Sequence, residues 1–232
     1  MMDRHILSQV EELLGYKFSD RRLLIESLTH SSYASDRLKS NERLEFLGDS
    51  VLALVICQTL FNQFPDYFEG DLTKIKSRLV SRKVCSKLTN ELGLTEFIRV
   101  GKGMSKTRAM SGSIAAGTFE SIIAAIYLDG GYAPAETFLQ NAFASLIEKA
   151  DADHHHENFK SVLQQHSQQT FGATPVYELL DEKGPDHDKC FETAVIIGHR
   201  RFPSAWGVTK KDAEQKAAQN VLVELGLVNS EE

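Results

Sequence analysis

The stretch Asn41-Glu42-Arg43-Leu44-Glu45-Phe46-Leu47-Gly48-Asp49-Ser50, running into Val51-Leu52-Ala53-Leu54-Val55-Ile56, decides the reading of this chain. Glu42, Glu45 and Asp49 fall at i, i+3 and i+7, which on a helix is one face. Leu44, Phe46, Leu47, Val51 and Leu52 surround them, so the pattern predicts a helix deep in a core with a stripe of carboxylates along it. Such a stripe repels itself and loses hydration; an unpaired buried charge costs on the order of several kcal/mol. Compensation can come from lysine or arginine partners, which would make the cluster structural. It can also come from a hard divalent cation such as Mg²⁺, held by carboxylates and waters. A second helix is expected at residues 113–128, where Glu120 is the lone charge among Phe119, Ile122, Ile123 and Ile126 and again asks for a partner. Glu69, in Phe68-Glu69-Gly70-Asp71, reads by itself as a loop or helix-start acid.

Outward from this stretch, apolar residues recur at helical spacing in residues 6–14, 23–28, 44–60, 72–92, 114–128 and 135–147. Turn chemistry separates them at Gly15, Phe64-Pro65-Asp66, Gly93, residues 101–112 and Asp129-Gly130-Gly131. Residues 1–150 are therefore expected to form an all-α domain. The polar run Ala150-Asp151-Ala152-Asp153-His154-His155-His156-Glu157 has no apolar anchor and reads as a linker, residues 151–157. Its adjacent histidines do not converge on one ion, so a solvated linker is the simpler reading. Residues 159–170 look helical, 176–180, 190–197 and 201–208 look like strands, and 210–225 look like a helix with an alanine-rich face. That order, α-β-β-β-α, predicts a small α+β domain over 158–227 with helices on one face of an antiparallel sheet, and a tail at 228–232.

The bulk properties narrow the function classes. The chain has 232 residues, 42% hydrophobic and 25% charged, as in an ordinary folded protein. The best candidate for an apolar span, residues 51–57, is too short to cross a bilayer, and no membrane partner is expected. The N-terminus has no secretory apolar region. Cys57, Cys85 and Cys190 make neither a metal-ligand spacing nor a disulfide framework, which points to a reducing cytoplasm. The net charge of −6 runs against the basic footprint of most nucleic-acid binders, although an acidic metal cluster and a basic patch can share one chain.

The decisive stretch resembles the signature of the ribonuclease III catalytic domain. Leu28-Thr29-His30-Ser31-Ser32-Tyr33, Glu69-Gly70-Asp71-Leu72, Lys76-Ser77-Arg78-Leu79-Val80 and Phe119-Glu120, followed by Ala125-Ile126-Tyr127-Leu128-Asp129-Gly130, extend the resemblance over nearly all of residues 4–149. The resemblance implies a homodimer that cuts double-stranded RNA with Mg²⁺, or Mn²⁺ as a substitute, and needs no organic cofactor. It implies Glu45, Asp49 and Glu120 as metal ligands, with Asp49 and Glu120 catalytic. Phe46 is implied at the subunit contact, with Glu42 and Glu69 beside the site and the dimer interface. The implied products carry 5′-phosphate and 3′-hydroxyl ends, and the implied substrates are precursor ribosomal RNA and structured messenger RNA. In one respect the chain departs from the family, which usually has an aspartate three residues before the position of Glu120; here it is Gly117. Three readings stay open: water fills that ligand position, another acid reaches in, or the protein is an impaired nuclease that mainly binds RNA.

Phe159-Lys160-Ser161-Val162-Leu163-Gln164-Gln165-His166-Ser167-Gln168-Gln169, Pro175-Val176-Tyr177-Glu178, Gly184-Pro185-Asp186-His187-Asp188-Lys189 and Thr209-Lys210-Lys211-Asp212-Ala213-Glu214-Gln215-Lys216-Ala217-Ala218 resemble a double-stranded-RNA-binding domain. Such domains read duplex shape across two minor grooves. The resemblance gives Ser161, Gln164, Gln165 and Gln168 to one minor groove, His187 to the next, and Lys210 and Lys211 to the phosphates between. Each set also has a plain reading as a solvated helix face or hairpin tip. Two lysines at a helix N-terminus oppose the helix dipole, and a phosphate partner would explain them. Lys216 could extend that patch, while Ala213, Ala217, Ala218 and Trp206 read as packing.

Overall fold

The computed structural model describes residues 2–103, 112–157, 159–185 and 189–228. The chain divides into two compact units, Met1–Lys149 and Ala150–Glu232. The first unit is helical: α1 Arg4–Leu14, α2 Arg21–Ser27, a 3₁₀ turn Arg37–Lys39, α3 Glu42–Gln63, α4 Glu69–Leu79, α5 Arg82–Glu91, a 3₁₀ turn Leu94–Phe97, α6 Ser113–Gly130 and the first part of α7 Tyr132–Glu157, whose last residues belong to the second unit. Helix starts are set by short polar side chains. Asp3, Asp20 and Ser81 accept from the amides of His5, Arg22 and Val84.

The core is the crossing of α3 with α6. Helix α6 is apolar almost all round, and its residues from Ala115 through Ile126 are buried, as expected of a helix enclosed by others. Phe119 packs against Phe138 and Phe143 of α7, with ring centroids 5.8 and 6.1 Å away. Burying each such ring stabilises the unit by roughly 1.5–3 kcal/mol. Gly48 lets the two helix backbones touch: a Cβ there would stand 1.7 Å from the Glu120 carbonyl oxygen. The crossing is thereby fixed, and with it the spacing of the side chains beside it.

In the helical part the structure refines several sequence expectations. The segment 72–92 is two helices, because Ser81 caps α5 and breaks the ladder although the apolar period continues across it. The segment 151–157 continues α7 as helix; once a packed helix exists, adding residues costs far less than nucleation. Helix α3 is not deep on every side. Leu44, Gly48, Val51, Leu52 and Val55 face the core, while Phe46 is 81% exposed and Asp49 is exposed. By length and composition α3 is also apolar enough to span a membrane, a property shared by core helices of soluble proteins, and its buried face packs on α6.

The second unit contains α8 Phe159–Phe171, β1 Val176–Lys183, β2 Cys190–Ile197, β3 Arg200–Arg201, β4 Ala205–Gly207 and α9 Lys210–Glu224. The sheet is antiparallel, with Val176 opposite Ile196 and Lys183 opposite Cys190. β3 and β4 both pair with β2, so the expected third strand is broken in two. Pro203, which lacks an amide hydrogen, stands at the break. Leu163, Val195, Ile197, Phe202, Ala217, Ala218, Val221 and Leu222 form the core under the two helices. Small residues bring α9 onto the sheet: a Cβ on Gly207 would lie 2.2 Å from the Ala213 amide nitrogen.

Candidate functional site

Glu45 and Asp49 project from α3, and Glu120 from α6, where the two helices cross at Gly48. Glu120 is 7% exposed, Glu45 is half-buried and Asp49 is exposed. Among the described residues none of the three carboxylates has a hydrogen-bond or ion-pair partner. Burial, then the charges of Glu45 and Asp49, push the Glu120 carboxyl up to about 7, and Arg82 opposes them. Burial also raises Glu45, again against Arg82. Cys85 on α5 lies close enough that its thiol is pushed up to about 12, by burial first and then by Glu120 and Asp49. Glu42 differs from these acids. Its carboxylate accepts from the Arg37 guanidinium at 2.5 and 3.1 Å, and this bond holds it below the usual carboxylate range.

Gly117 lies one turn before Glu120, and its missing side chain does not leave open space. A Cβ there would stand 2.5 Å from Glu45 Oε2 and 2.8 Å from its Cδ. The Glu45 carboxylate therefore lies against α6 where a side chain at position 117 would begin. Among the described residues no three His, Cys, Asp or Glu side chains are already gathered at metal-binding distances. The donor set, carboxylate oxygens on a rigid crossing with Arg82 nearby, suits a hard oxygen-loving ion such as Mg²⁺.

Along the outer side of α3, Phe46, Leu54 and Phe61 are exposed, as is Phe68 just before α4. Between α3 and α4 runs an apolar groove of about 620 Å³, lined by Leu54, Phe61, Tyr67 and Leu72 among others, with Glu69 also on its lining. Glu69 opens α4 and accepts from Thr73 Oγ1 at 2.9 Å. It is thus brought to this groove.

In the second unit, Gln164, Gln165 and Gln168 are exposed on α8 and Ser161 is half-buried on the same helix. Lys210 and Lys211 open α9, both exposed, and neither pairs with an acid among the described residues. The Lys210 ammonium sits 5.5 Å from the Phe191 ring centroid. Thr209 accepts from the Asp212 amide, and Asp212 accepts from Val208, so the helix start is secured without the lysines. Lys216 pairs with Asp212 at 3.0 Å, so its charge is already engaged there. Trp206 is half-buried with the Lys183 ammonium 4.6 Å from its ring centroid. His187 lies outside the described residues.

The sequence reading did not anticipate Arg82 or Cys85 beside the carboxylates. Arg82 follows the Ser81 cap, and only the break between α4 and α5 turns it toward the site; a serine within an apolar run was the available signal. It also did not anticipate Asn41, which is 2% exposed with its side-chain oxygen unpartnered, while Ser121 of α6 donates to its backbone oxygen at 3.1 Å.

Comparison with known proteins identifies the two units. A family model described as ribonuclease-III-like matches residues 20–147, and a double-stranded RNA binding motif matches residues 159–225. Ribonuclease 3 of Rhodopirellula baltica is 50% identical over 219 residues, covering 94% of this chain and 82% of that protein. Ribonuclease 3 of Symbiobacterium thermophilum is 39% identical, with 91% of each chain covered. The solved nuclease domain of Campylobacter jejuni ribonuclease III superposes with a TM-score of 0.57 at 38% identity, covering 60% of this chain and 96% of that one; the structure is described in terms of a region involved in dimer formation. The chain belongs to the ribonuclease III family, double-stranded-RNA endoribonucleases that here join a helical nuclease unit to a double-stranded-RNA-binding motif.

Proposed function

We propose that the chain hydrolyses phosphodiester bonds of duplex RNA as a homodimer, with Mg²⁺ (or Mn²⁺) held by Glu45, Asp49 and Glu120, leaving 5′-phosphate and 3′-hydroxyl ends. The observation that carries this reading is Glu120: a buried carboxylate with no partner, pushed up to about 7, facing two more acids across a fixed helix crossing. A bound divalent ion would acidify a water and neutralise charge on the phosphate. The protein's part is to hold the carboxylates in place. Gly48 locks α3 to α6, Asp49 and Glu120 would hold the metal and the water it activates, and Arg82 moderates the repulsion at Glu120. At Gly117 the carboxylate of Glu45 lies where a side chain would begin, so Glu45, Asp49 and Glu120 remain the proposed ligand set and water would take the further position.

The exposed apolar row of Phe46, Leu54 and Phe61 supports the homodimer, with Glu69 beside the groove next to it. The exposed glutamines of α8 and the free lysines opening α9 support their assignment to RNA. Precursor ribosomal RNA and structured messenger RNA are the proposed substrates, in the cytoplasm. The unpaired state of Cys57, Cys85 and Cys190 fits a reducing compartment. Glu120→Gln should abolish cutting of a long RNA duplex while leaving its affinity, measured by filter binding, within about 2-fold, a change under 0.5 kcal/mol. Cleavage that persists in this variant would remove Glu120 from the chemistry.

A further inference from the structure

A pocket of about 560 Å³ opens on the nuclease unit between α2, residues 29–35, the 3₁₀ turn Arg37–Lys39 and Arg99. Arg22, Lys39 and Arg99 line it, and Glu26 is the single acid among its lining residues. Arg99 is held from several sides. Its amide donates to Leu28 at 2.8 Å, its carbonyl accepts from His30 at 3.0 Å, and the pair forms a parallel bridge with Thr29. Its guanidinium donates to Thr29 Oγ1 at 3.2 Å and lies over the Tyr33 ring, 4.3 Å from the centroid. Among the described residues no carboxylate pairs with Arg99 or with the exposed Lys39, whereas Arg22 shares its charge with Asp20 at 2.8 Å.

A guanidinium held over an aromatic ring and tied to Thr29, with N–H groups to spare, presents the planar fork that matches phosphate oxygens. Much of the ordering that binding would require is already done. In a chain of net charge −6, cations gathered in one concave place set the local field for a polyanion. The position suits the known reaction. The segment that supplies Thr29 and Tyr33 also carries His30, which lies near Glu42 and Glu45, and Ser31, which hydrogen-bonds Glu42. The pocket and the carboxylates therefore share one short segment.

We propose that this pocket takes a phosphate of the RNA backbone away from the scissile bond, with Arg99 as the fork and Lys39 and Arg22 as flanking charges. The proposal rests on the assignment of duplex RNA as substrate. Inorganic phosphate and a 5′-mononucleotide share the chemistry and serve as competing probes. The test is steady-state cleavage of a long duplex by the full chain at several salt concentrations, for Arg99→Gln, Lys39→Gln and the double variant, with a thermal melt of each. The double variant should raise KM on the order of 10-fold with kcat within about 2-fold. The log–log salt dependence of kcat/KM should flatten by about 0.7–0.9 per lost contact. Lys39→Gln, on an exposed turn, should give part of the effect without any change in melting. Unchanged KM and salt slope in folded variants would overturn the proposal. So would a mononucleotide or phosphate that binds the wild type and is lost in Arg99→Gln while KM for RNA stays put, because the pocket would then be a small-anion site. A wild type that binds duplex without cutting it would strike the nuclease reading instead, and the salt slope of binding would still test the pocket.

Discussion

Replacing Gly117 with alanine puts a methyl group where the Glu45 carboxylate lies, 2.5 Å from Oε2 and 3.2 Å from Oε1. Ordinary contact needs roughly 1 Å more, so the carboxylate must swing away. It is the free end of a flexible side chain, and the strain belongs at the low end of the roughly 1–3 kcal/mol typical of overpacking. Alanine returns about 1 kcal/mol of helix propensity within α6. The two effects nearly cancel, and Tm should stay within about 4 °C of the wild type. Metal response should not be spared. Mg²⁺ demands near-ideal octahedral oxygens at about 2.0–2.1 Å, so a ligand moved by about 1 Å should raise the Mg²⁺ concentration for half-maximal cleavage on the order of 10-fold. Gly48→Ala is the contrast, because its Cβ would meet the Glu120 backbone oxygen at 1.7 Å, which cannot swing aside. That variant should lose more than about 3 kcal/mol or fail to fold. The assay is a Mg²⁺ titration of cleavage beside a circular-dichroism melt. An unchanged Mg²⁺ midpoint in a well-folded Gly117→Ala protein would refute the idea that Gly117 sets the position of Glu45 at the metal.

In metal-free buffer Glu120 should make the fold less stable as pH rises. Its folded pKa of about 7 exceeds its ordinary 4.5, so ionisation penalises the native state progressively between those values and the loss levels off above 7. The difference in urea stability between wild type and Glu120→Gln should change by about 3 kcal/mol across that window, Glu45 being common to both proteins; a flat difference would mean that Glu120 is not buried as described. Lys210→Ala with Lys211→Ala should lower the log–log salt slope of duplex binding by about 0.7–0.9 per lost phosphate contact, and an unaltered slope would place phosphate elsewhere. Phe46, 81% exposed, would be buried twice in a symmetric dimer. At roughly 1.5–3 kcal/mol per ring, Phe46→Glu should weaken dimerisation by at least about 100-fold in sedimentation equilibrium; an intact dimer would take Phe46 out of the interface.

What the sequence revealed followed periodicity and charge. The i, i+3, i+7 acids of α3, the lone acid of α6 and the switch from helical to strand spacing after residue 158 were readable because each is local. The helix break at Ser81 escaped because the apolar rhythm runs straight through it. The broken third strand had a visible cause in Pro203, outweighed by the Val, Trp and Phe around it. The helical course of residues 151–157 escaped because burial was the cue, and a helix propagating from a packed part needs no apolar face of its own. The contacts that shape the site were out of reach for another reason. Glu45 against Gly117, Gly48 against Glu120, and Arg82 beside both carboxylates join residues far apart in the chain, so they appear only once α3, α5 and α6 have packed. The same holds for Arg99 on Tyr33, which depends on a single parallel bridge.

The most direct measurement is cleavage of a long, perfectly paired RNA by the purified full chain across a Mg²⁺ titration, with Asp49→Asn alongside. Cutting that requires Mg²⁺ and vanishes in Asp49→Asn, while duplex binding remains, is the predicted result. Tight duplex binding with no cutting at any Mg²⁺ or Mn²⁺ concentration would contradict it and make this chain an RNA-binding protein built on a nuclease fold.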